Sequence, residues 1–372
     1  MKPEKEKLHN KNEVTWPFER SQIPQVRMSL NFKCGKACFY CRPFGESPSI
    51  HNDSESKFLG YREMTLAEIV SVAKVLVDAG VTDIKLTGGD PILRSDIVDI
   101  VRELKKIENL KSLHLITRHQ KAGDIAVQLK EAGLDLLNFS LDSLNENVWK
   151  SITRVEGHKE LMSAIRNSAK IGIPLKINTV VLKGVNNEEI PDLINFAAEI
   201  GAEIKFLDLI NDMDGFNGFD LDTYYYDLRE LVERLIKEGN EVEYITQSGG
   251  LGHPMPRFKM HNGAIVTVKS AKYGAYYGSI CSNCKFFPCW DALMALRVTP
   301  NGWLQFCLLR SDNYIDILKL IQAGNLPNVH KIVNDALSVF KTAKPLTWEA
   351  ISQIRDQNVE NIMVKKLLNS NI

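Results

Sequence analysis

The residues best suited to chemistry in this chain are its seven cysteines, which fall into a group of three and a group of four. The first group occupies Cys34-Gly35-Lys36-Ala37-Cys38-Phe39-Tyr40-Cys41, a C-x3-C-x2-C spacing in which Gly35 lets the backbone curl. A loop of that length can wrap three thiolates around one inorganic centre. Clusters of the 4Fe-4S type usually take four cysteines, so a group of three leaves one iron open to a ligand that is not protein. A zinc loop is the alternative, because C-x2-C pairs are its usual signature, and buried small apolar cysteines are the plainest reading. The second group runs Cys281-x2-Cys284-x4-Cys289-x17-Cys307, for which a structural zinc site is the default in isolation. An odd number of cysteines without a secretion signal argues for thiolates that hold metal rather than for disulfides, and three plus four uses all of them.

The elements that must position these thiols read as an alternation. Lys+Arg and Asp+Glu both total 46, which argues against a partner held by bulk charge, such as nucleic acid or a membrane surface. No apolar run reaches the length needed to span a bilayer and residues 1–22 form a polar lead-in, with Trp16-Pro17-Phe18 near its end, so a cytoplasmic protein is expected. Gln25–Leu30 reads as a strand, Ser47–Gly60 as a surface loop, and Thr65-Leu66-Ala67-Glu68 as a capping box opening a helix that stops at Gly80. Strand and helix then alternate to about residue 210, giving strands at Asp83–Thr87, Leu113–Thr117, Leu136–Ser140, Leu175–Leu182 and Glu203–Asp208. Helices of ten or more residues between strands imply a parallel sheet. Six units are too few for a closed eightfold barrel, so the expected fold is α/β, a partial (β/α)6 TIM-type barrel over 23–210 with its chemistry at the strands' C-terminal ends. An auxiliary-cluster region over 211–310, beginning with a Gly- and Asp-rich linker at Asn211–Gly218, and a helical tail over 311–372 complete the expected organisation.

Three segments carry a resemblance. Lys85-Leu86-Thr87-Gly88-Gly89-Asp90-Pro91-Ile92-Leu93-Arg94, Asn138-Phe139-Ser140-Leu141-Asp142-Ser143-Leu144 and Lys176 to Asn186, in that order after the C-x3-C-x2-C loop, resemble the GTP 3′,8-cyclases of molybdenum-cofactor biosynthesis within the radical S-adenosylmethionine (SAM) enzymes. The likeness is collinear over roughly residues 25–210 and resumes at Cys281–Cys307. It implies that Cys34, Cys38 and Cys41 hold a 4Fe-4S cluster whose open iron binds SAM, and that reductive cleavage gives a 5′-deoxyadenosyl radical. Tyr40, Gly88, Gly89, Asp90, Thr117 and Ser140 then fall where the family binds SAM. Arg27, Lys85, Lys176 and Arg297 fall where it binds a nucleotide triphosphate, and cationic forks suit phosphates. Asp208 closes a strand with no family counterpart. The partners implied are a small-molecule substrate, an electron donor such as flavodoxin or ferredoxin, and a homodimer as an assembly open to the chain.

Beside such a core, the second group reads as an auxiliary 4Fe-4S cluster on Cys281, Cys284, Cys289 and Cys307. The cyclases show C-x2-C-x13-C there, so Cys289 is extra, and four thiolates would close the cluster to direct iron–substrate binding. Of the Arg-x-Arg pair that precedes the family's last cysteine, Ala295-Leu296-Arg297 keeps one cation, and the C-terminal Gly-Gly is replaced by Leu367–Ile372. A divergent relative acting on a nucleotide-like small molecule is therefore expected. A true GTP 3′,8-cyclase, a peptide-modifying radical SAM enzyme and a zinc-binding structural protein are the other readings.

Overall fold

The structure is a computed structural model that describes residues 23–41, 62–210, 220–247, 250–281, 284, 286–310, 314–354 and 356–357. The lead-in with Trp16, Pro17 and Phe18, the Ser47–Gly60 loop, the Asn211–Gly218 linker and Leu367–Ile372 lie outside the described residues. Six strands run parallel in chain order: β1 (Gln25–Ser29), β2 (Asp83–Thr87), β3 (Ser112–Thr117), β4 (Leu136–Ser140), β5 (Leu175–Val180) and β6 (Glu203–Leu207). They form the curled half-barrel that the alternation implies. Their outward residues are the apolar ones: Val26, Met28, Ile84, Leu86, Leu113, Leu115, Phe139, Ile177, Ile204 and Phe206 are buried under the helices. The period of two explains why polar side chains on the intervening positions face the concave side.

The sheet does not end with these six. Downstream strands β7 (Val242–Gln247), β8 (Leu251–Lys259) and β9 (Ile265–Lys269) extend it beyond β6, with β9 parallel to β6. Strand β10 (Ala275–Tyr277) pairs away from the main sheet with β14 (Lys344–Leu346). Strand β11 (Ala295–Val298) joins the opposite edge parallel to β1 and carries β12 (Trp303–Gln305) and β13 (Tyr314–Asp316) behind it. Both edges of the half-barrel are thus paired by chain from after residue 210, and the sheet ends at β13 and β7 instead of β1 and β6. Among the described residues, no helix is long and apolar enough to cross a membrane.

Helix Leu66–Asp78 shows the local logic. Thr65 and Glu68 cap it reciprocally, and Ile69, Val72, Ala73 and Leu76 make its buried stripe. Each fully buried aliphatic chain there contributes about 1.5–3 kcal/mol, and the cap about 1 kcal/mol.

What positions the site is the stitching of two loops. The backbone N–H of Gly89 donates to the Asn31 carbonyl at 2.9 Å, that of Asp90 to the Lys33 carbonyl at 2.8 Å, and Asn31 Nδ2 to the Asp90 carbonyl at 2.7 Å. A Cβ on Gly88 would stand 2.6 Å from Asn31 Oδ1, and one on Gly89 would overlap the Lys33 carbonyl. Gly89→Ala should therefore cost about 3 kcal/mol, the upper range for overpacking. Gly184→Ala, at φ +69 with open space around it, should cost about 1 kcal/mol. Denaturant unfolding of the two variants checks the difference, which vanishes if the loops are not held this closely.

Candidate functional site

The first cysteine group sits at the mouth of the half-barrel, just beyond β1. Gly35 adopts φ +74, turning the loop as its type suggests. Cys34 and Cys38 are partly buried and Cys41 is exposed. Burial pushes the thiols of Cys34 and Cys38 above their ordinary range, while the Arg118 guanidinium pulls both down. The loop is anchored by Ala37 N–H to the Thr153 carbonyl at 3.0 Å and Phe39 N–H to the Ile152 carbonyl at 3.2 Å. Three soft donors at one mouth fit an iron–sulfur cluster with one iron left open.

The residues expected to serve the ligand of that iron surround it unequally. Asp90 is buried and its carboxylate is occupied: Oδ1 accepts from Thr117 Oγ1 at 2.7 Å and Ile92 N–H at 3.2 Å, and Oδ2 from Arg118 N–H at 2.8 Å. Its carboxyl is pushed up to about 6 by burial, against those donors. Tyr40 donates its hydroxyl to Asp142 Oδ2 at 2.6 Å. Asp90, Thr117 and Tyr40 therefore hold the wall of the site together. Ser140 ends β4 opposite Asn178, and among the described residues its hydroxyl has no hydrogen bond.

The concave face behind the cysteine loop is cationic. Arg297, Arg27, Lys85 and His114 stand at one level across β11, β1, β2 and β3. Lys205 lies on the same face of β6, and the charges of Lys176, Lys85, Lys269 and Arg27 all reach it. Burial first, then those neighbours, push its ammonium well below the usual lysine range. Its one hydrogen bond among the described residues is to the Met255 thioether, at 3.6 Å. Burial and Lys85 likewise lower His114 to about 4. Lys176 stands lower in the barrel and is paired with Glu203 Oε2 at 2.7 Å, which also accounts for its early place in β5. Lys269 ends β9 beside Asp208, whose carboxylate accepts the Ala271 N–H at 2.9 Å. A buried ammonium without a carboxylate is costly, and an anion arriving there would offset that cost.

Of the second cysteine group, Cys281, Cys284 and Cys289 lie between β10 and β11 and Cys307 follows β12. Cys281 feels the charges of Cys307 and Cys284, and Cys289 those of Cys307 and Cys281. Burial leads the upward shift of all three thiols given, Cys281 to about 11. Cys289 Sγ accepts the N–H of Ala292, which adopts φ +54, at 3.4 Å. Among the described residues, no group of three His, Cys, Asp or Glu side chains is placed to hold a metal ion. Asp291 links this region to the barrel: Oδ1 accepts from Arg297 Nη2 at 3.3 Å and Oδ2 from Leu308 N–H at 3.0 Å.

Sequence reasoning did not single out Lys205, Lys269, Arg118 or Asp142. Lys205 carried a signal that could have found it, a cation interrupting the apolar strand Ile204-Lys205-Phe206-Leu207. Asp142 lay inside a quoted segment. Arg118 had no periodic signal of its own.

Comparison with known proteins places these features. Residues 28–197 match the model of the radical SAM superfamily. A probable GTP 3′,8-cyclase of Pyrococcus horikoshii is 33% identical over 86% of this chain and 93% of its own length. One of Sulfurisphaera tokodaii is 32% identical over 87% and 93%, and the GTP 3′,8-cyclase of Listeria monocytogenes 28% over 88% and 95%. Among solved structures, Streptococcus suis SuiB bound to S-adenosylmethionine matches with TM-score 0.55 at 12% identity, over 84% of this chain and 68% of that one.

Lys205→Met should raise thermal stability by roughly 1–2 kcal/mol, since it exchanges a buried unpaired charge for an apolar chain of similar length. Calorimetry decides this, and a loss of stability would show that the ammonium is satisfied within the fold.

Proposed function

The chain belongs to the radical SAM superfamily, and from that premise we propose that it acts on a small, phosphate-bearing, nucleotide-like substrate held between two 4Fe-4S clusters. When bound, the first cluster and SAM supply a 5′-deoxyadenosyl radical that takes a hydrogen atom from the substrate. Cys34, Cys38 and Cys41 hold that cluster, which is incompatible with the zinc reading of this loop. The carbonyls of Gly88 and Gly89 and the hydroxyl of Ser140 are the groups that would touch SAM. Tyr40, Asp90 and Thr117 act by fixing the wall beside it.

The observation that carries the substrate class is the concave row of Arg27, Lys85, Lys205, Lys269 and Arg297. Lys205 is the strongest member, because burial and its cationic neighbours already strain its charge. Phosphate oxygens offer the density of acceptors such a set needs, and a guanidinium can engage them bidentately. Lys176 serves at the floor, already tied to Glu203.

Cys281, Cys284, Cys289 and Cys307 are proposed to hold the second cluster. That the charges of Cys307 and Cys281 both reach Cys289 supports a fourth ligand there. A cluster so closed leaves no iron for the substrate, and Ala295 stands where the cyclases have an arginine. Both differences support a reaction other than GTP 3′,8-cyclisation on a cyclase-like scaffold. Seven free thiols suit a reducing, cytoplasmic setting, with electrons delivered by a small low-potential protein such as flavodoxin or ferredoxin.

Three experiments bear on this. Equilibrium binding of inorganic tripolyphosphate should weaken about tenfold or more in Lys205→Met, and equal affinity in both proteins would remove the anion site. Reduced enzyme given SAM and GTP should form 5′-deoxyadenosine without a pterin precursor; a pterin product would restore true cyclase activity. In addition, Cys289→Ala should lose iron and sulfide from the second site only, and unchanged content would take Cys289 out of the ligand set.

A further inference from the structure

Arg118 directly follows the last residue of β3, and its guanidinium is held among three loops. Nη1 donates to Cys38 Sγ at 3.0 Å and to Asp142 Oδ2 at 2.8 Å, and Nη2 donates to the Tyr40 hydroxyl at 2.8 Å. The Tyr40 hydroxyl passes its own hydrogen to the same Asp142 oxygen. Asp142 is fully enclosed, with its side chain 0% exposed, against 13% for Arg118. Each member is fixed from elsewhere. Asp90 Oδ2 accepts the Arg118 backbone N–H, Asp142 Oδ1 accepts Val180 N–H at 3.0 Å, and Asn186 Nδ2 donates to the Asp142 carbonyl at 2.7 Å.

The arrangement is not the one that would stabilise an ion pair best. A guanidinium facing a carboxylate gains most from two parallel hydrogen bonds to both oxygens. Here the backbone of Val180 occupies one oxygen, and the fork is divided among a carboxylate, a phenol and a thiol. One N–H is therefore directed at a sulfur that ligates the first cluster. Hydrogen bonds to ligating sulfur and nearby net charge are two of the quantities that set a cluster's reduction potential.

We propose that Arg118 tunes the reduction potential of the first cluster through Cys38, with Asp142 and Tyr40 as the residues that aim it and Asp142 partly offsetting its charge. Reduction adds a negative charge to the cluster, and a fixed cation donating to Cys38 favours the reduced form. Arg118 is a positioning and tuning residue; it does not touch the reacting atoms. The inference rests on Cys38 ligating the first cluster, and goes beyond any statement about substrate.

The two charges predict shifts of opposite sign. In the full-length, reconstituted protein, the first-cluster signal is identified as the one lost in Cys38→Ala and titrated without SAM by electron paramagnetic resonance. Arg118→Gln should lower the reduced-to-oxidised ratio at fixed ambient potential about tenfold, equivalent to about 59 mV for a one-electron couple. Asp142→Asn leaves the arginine's charge uncompensated and should raise that ratio about threefold. A midpoint belongs to the clusters that remain, so partial loss of iron or of folding does not imitate it. Shifts of the same sign in both variants, or a ratio within twofold of the parent in Arg118→Gln, overturn the proposal. If Arg118→Gln takes up no iron, Asp142→Asn decides alone, and a fall or no change counts against it. Failure of the radical SAM assignment would appear separately, as no response of the parent's signal to added SAM.

Discussion

Everything at the mouth of the half-barrel depends on how closely the exit of β2 approaches the chain leaving β1. At Gly89 there is no space for even one carbon beside the Lys33 carbonyl, and three hydrogen bonds close the seam. The seam fixes Cys34 relative to β2, and through Asp90 it fixes β3 as well, since that carboxylate gathers Ile92, Thr117 and Arg118. A cysteine loop would otherwise be a mobile surface feature. Here it is tied to the ends of three strands, and its own anchors at Ile152 and Thr153 tie it to a fourth element. Placement to within fractions of an ångström is what a reaction through a short-lived radical requires.

Below the mouth the balance is electrostatic. The chain has equal numbers of basic and acidic residues, yet the concave face concentrates the basic ones. Some are neutralised locally, as Lys176 is by Glu203 and Arg297 by Asp291. Lys205 is not. The distribution of partners therefore separates cations that hold the fold from one that lowers the stability of the empty protein. Because Asp291 lies between Cys289 and Cys307 in sequence and contacts both Arg297 and the Leu308 backbone, the second cysteine region and the cationic face share one support.

Much of this was legible in the sequence. The capping box at Thr65, the strand-helix alternation and the six parallel strands follow from period and punctuation, because local rules decide them. Of the basic residues singled out, Arg27, Lys85 and Arg297 stand at one level across β1, β2 and β11. What the sequence concealed was pairing at long range. That β9 and β11 would seal opposite edges of the sheet depends on register between segments far apart in the chain, and no local pattern encodes it. The same holds for Arg118: a cation after a strand is ordinary until tertiary structure brings Cys38, Tyr40 and Asp142 around it. Nor did the sequence show that Asp90 and Tyr40 would be hydrogen-bonded to Ile92, Thr117, Arg118 and Asp142.

The central claim is that three cysteines hold a cluster with an iron open to SAM, beside a second cluster that is closed. Its most direct measurement is the low-temperature paramagnetic resonance spectrum of the dithionite-reduced, anaerobically reconstituted chain, recorded with and without SAM. The account predicts that SAM reshapes one of two 4Fe-4S signals, that the responding signal disappears in Cys38→Ala, and that the other is indifferent to SAM. A spectrum that SAM leaves unaltered, or a response that survives in Cys38→Ala, would contradict it.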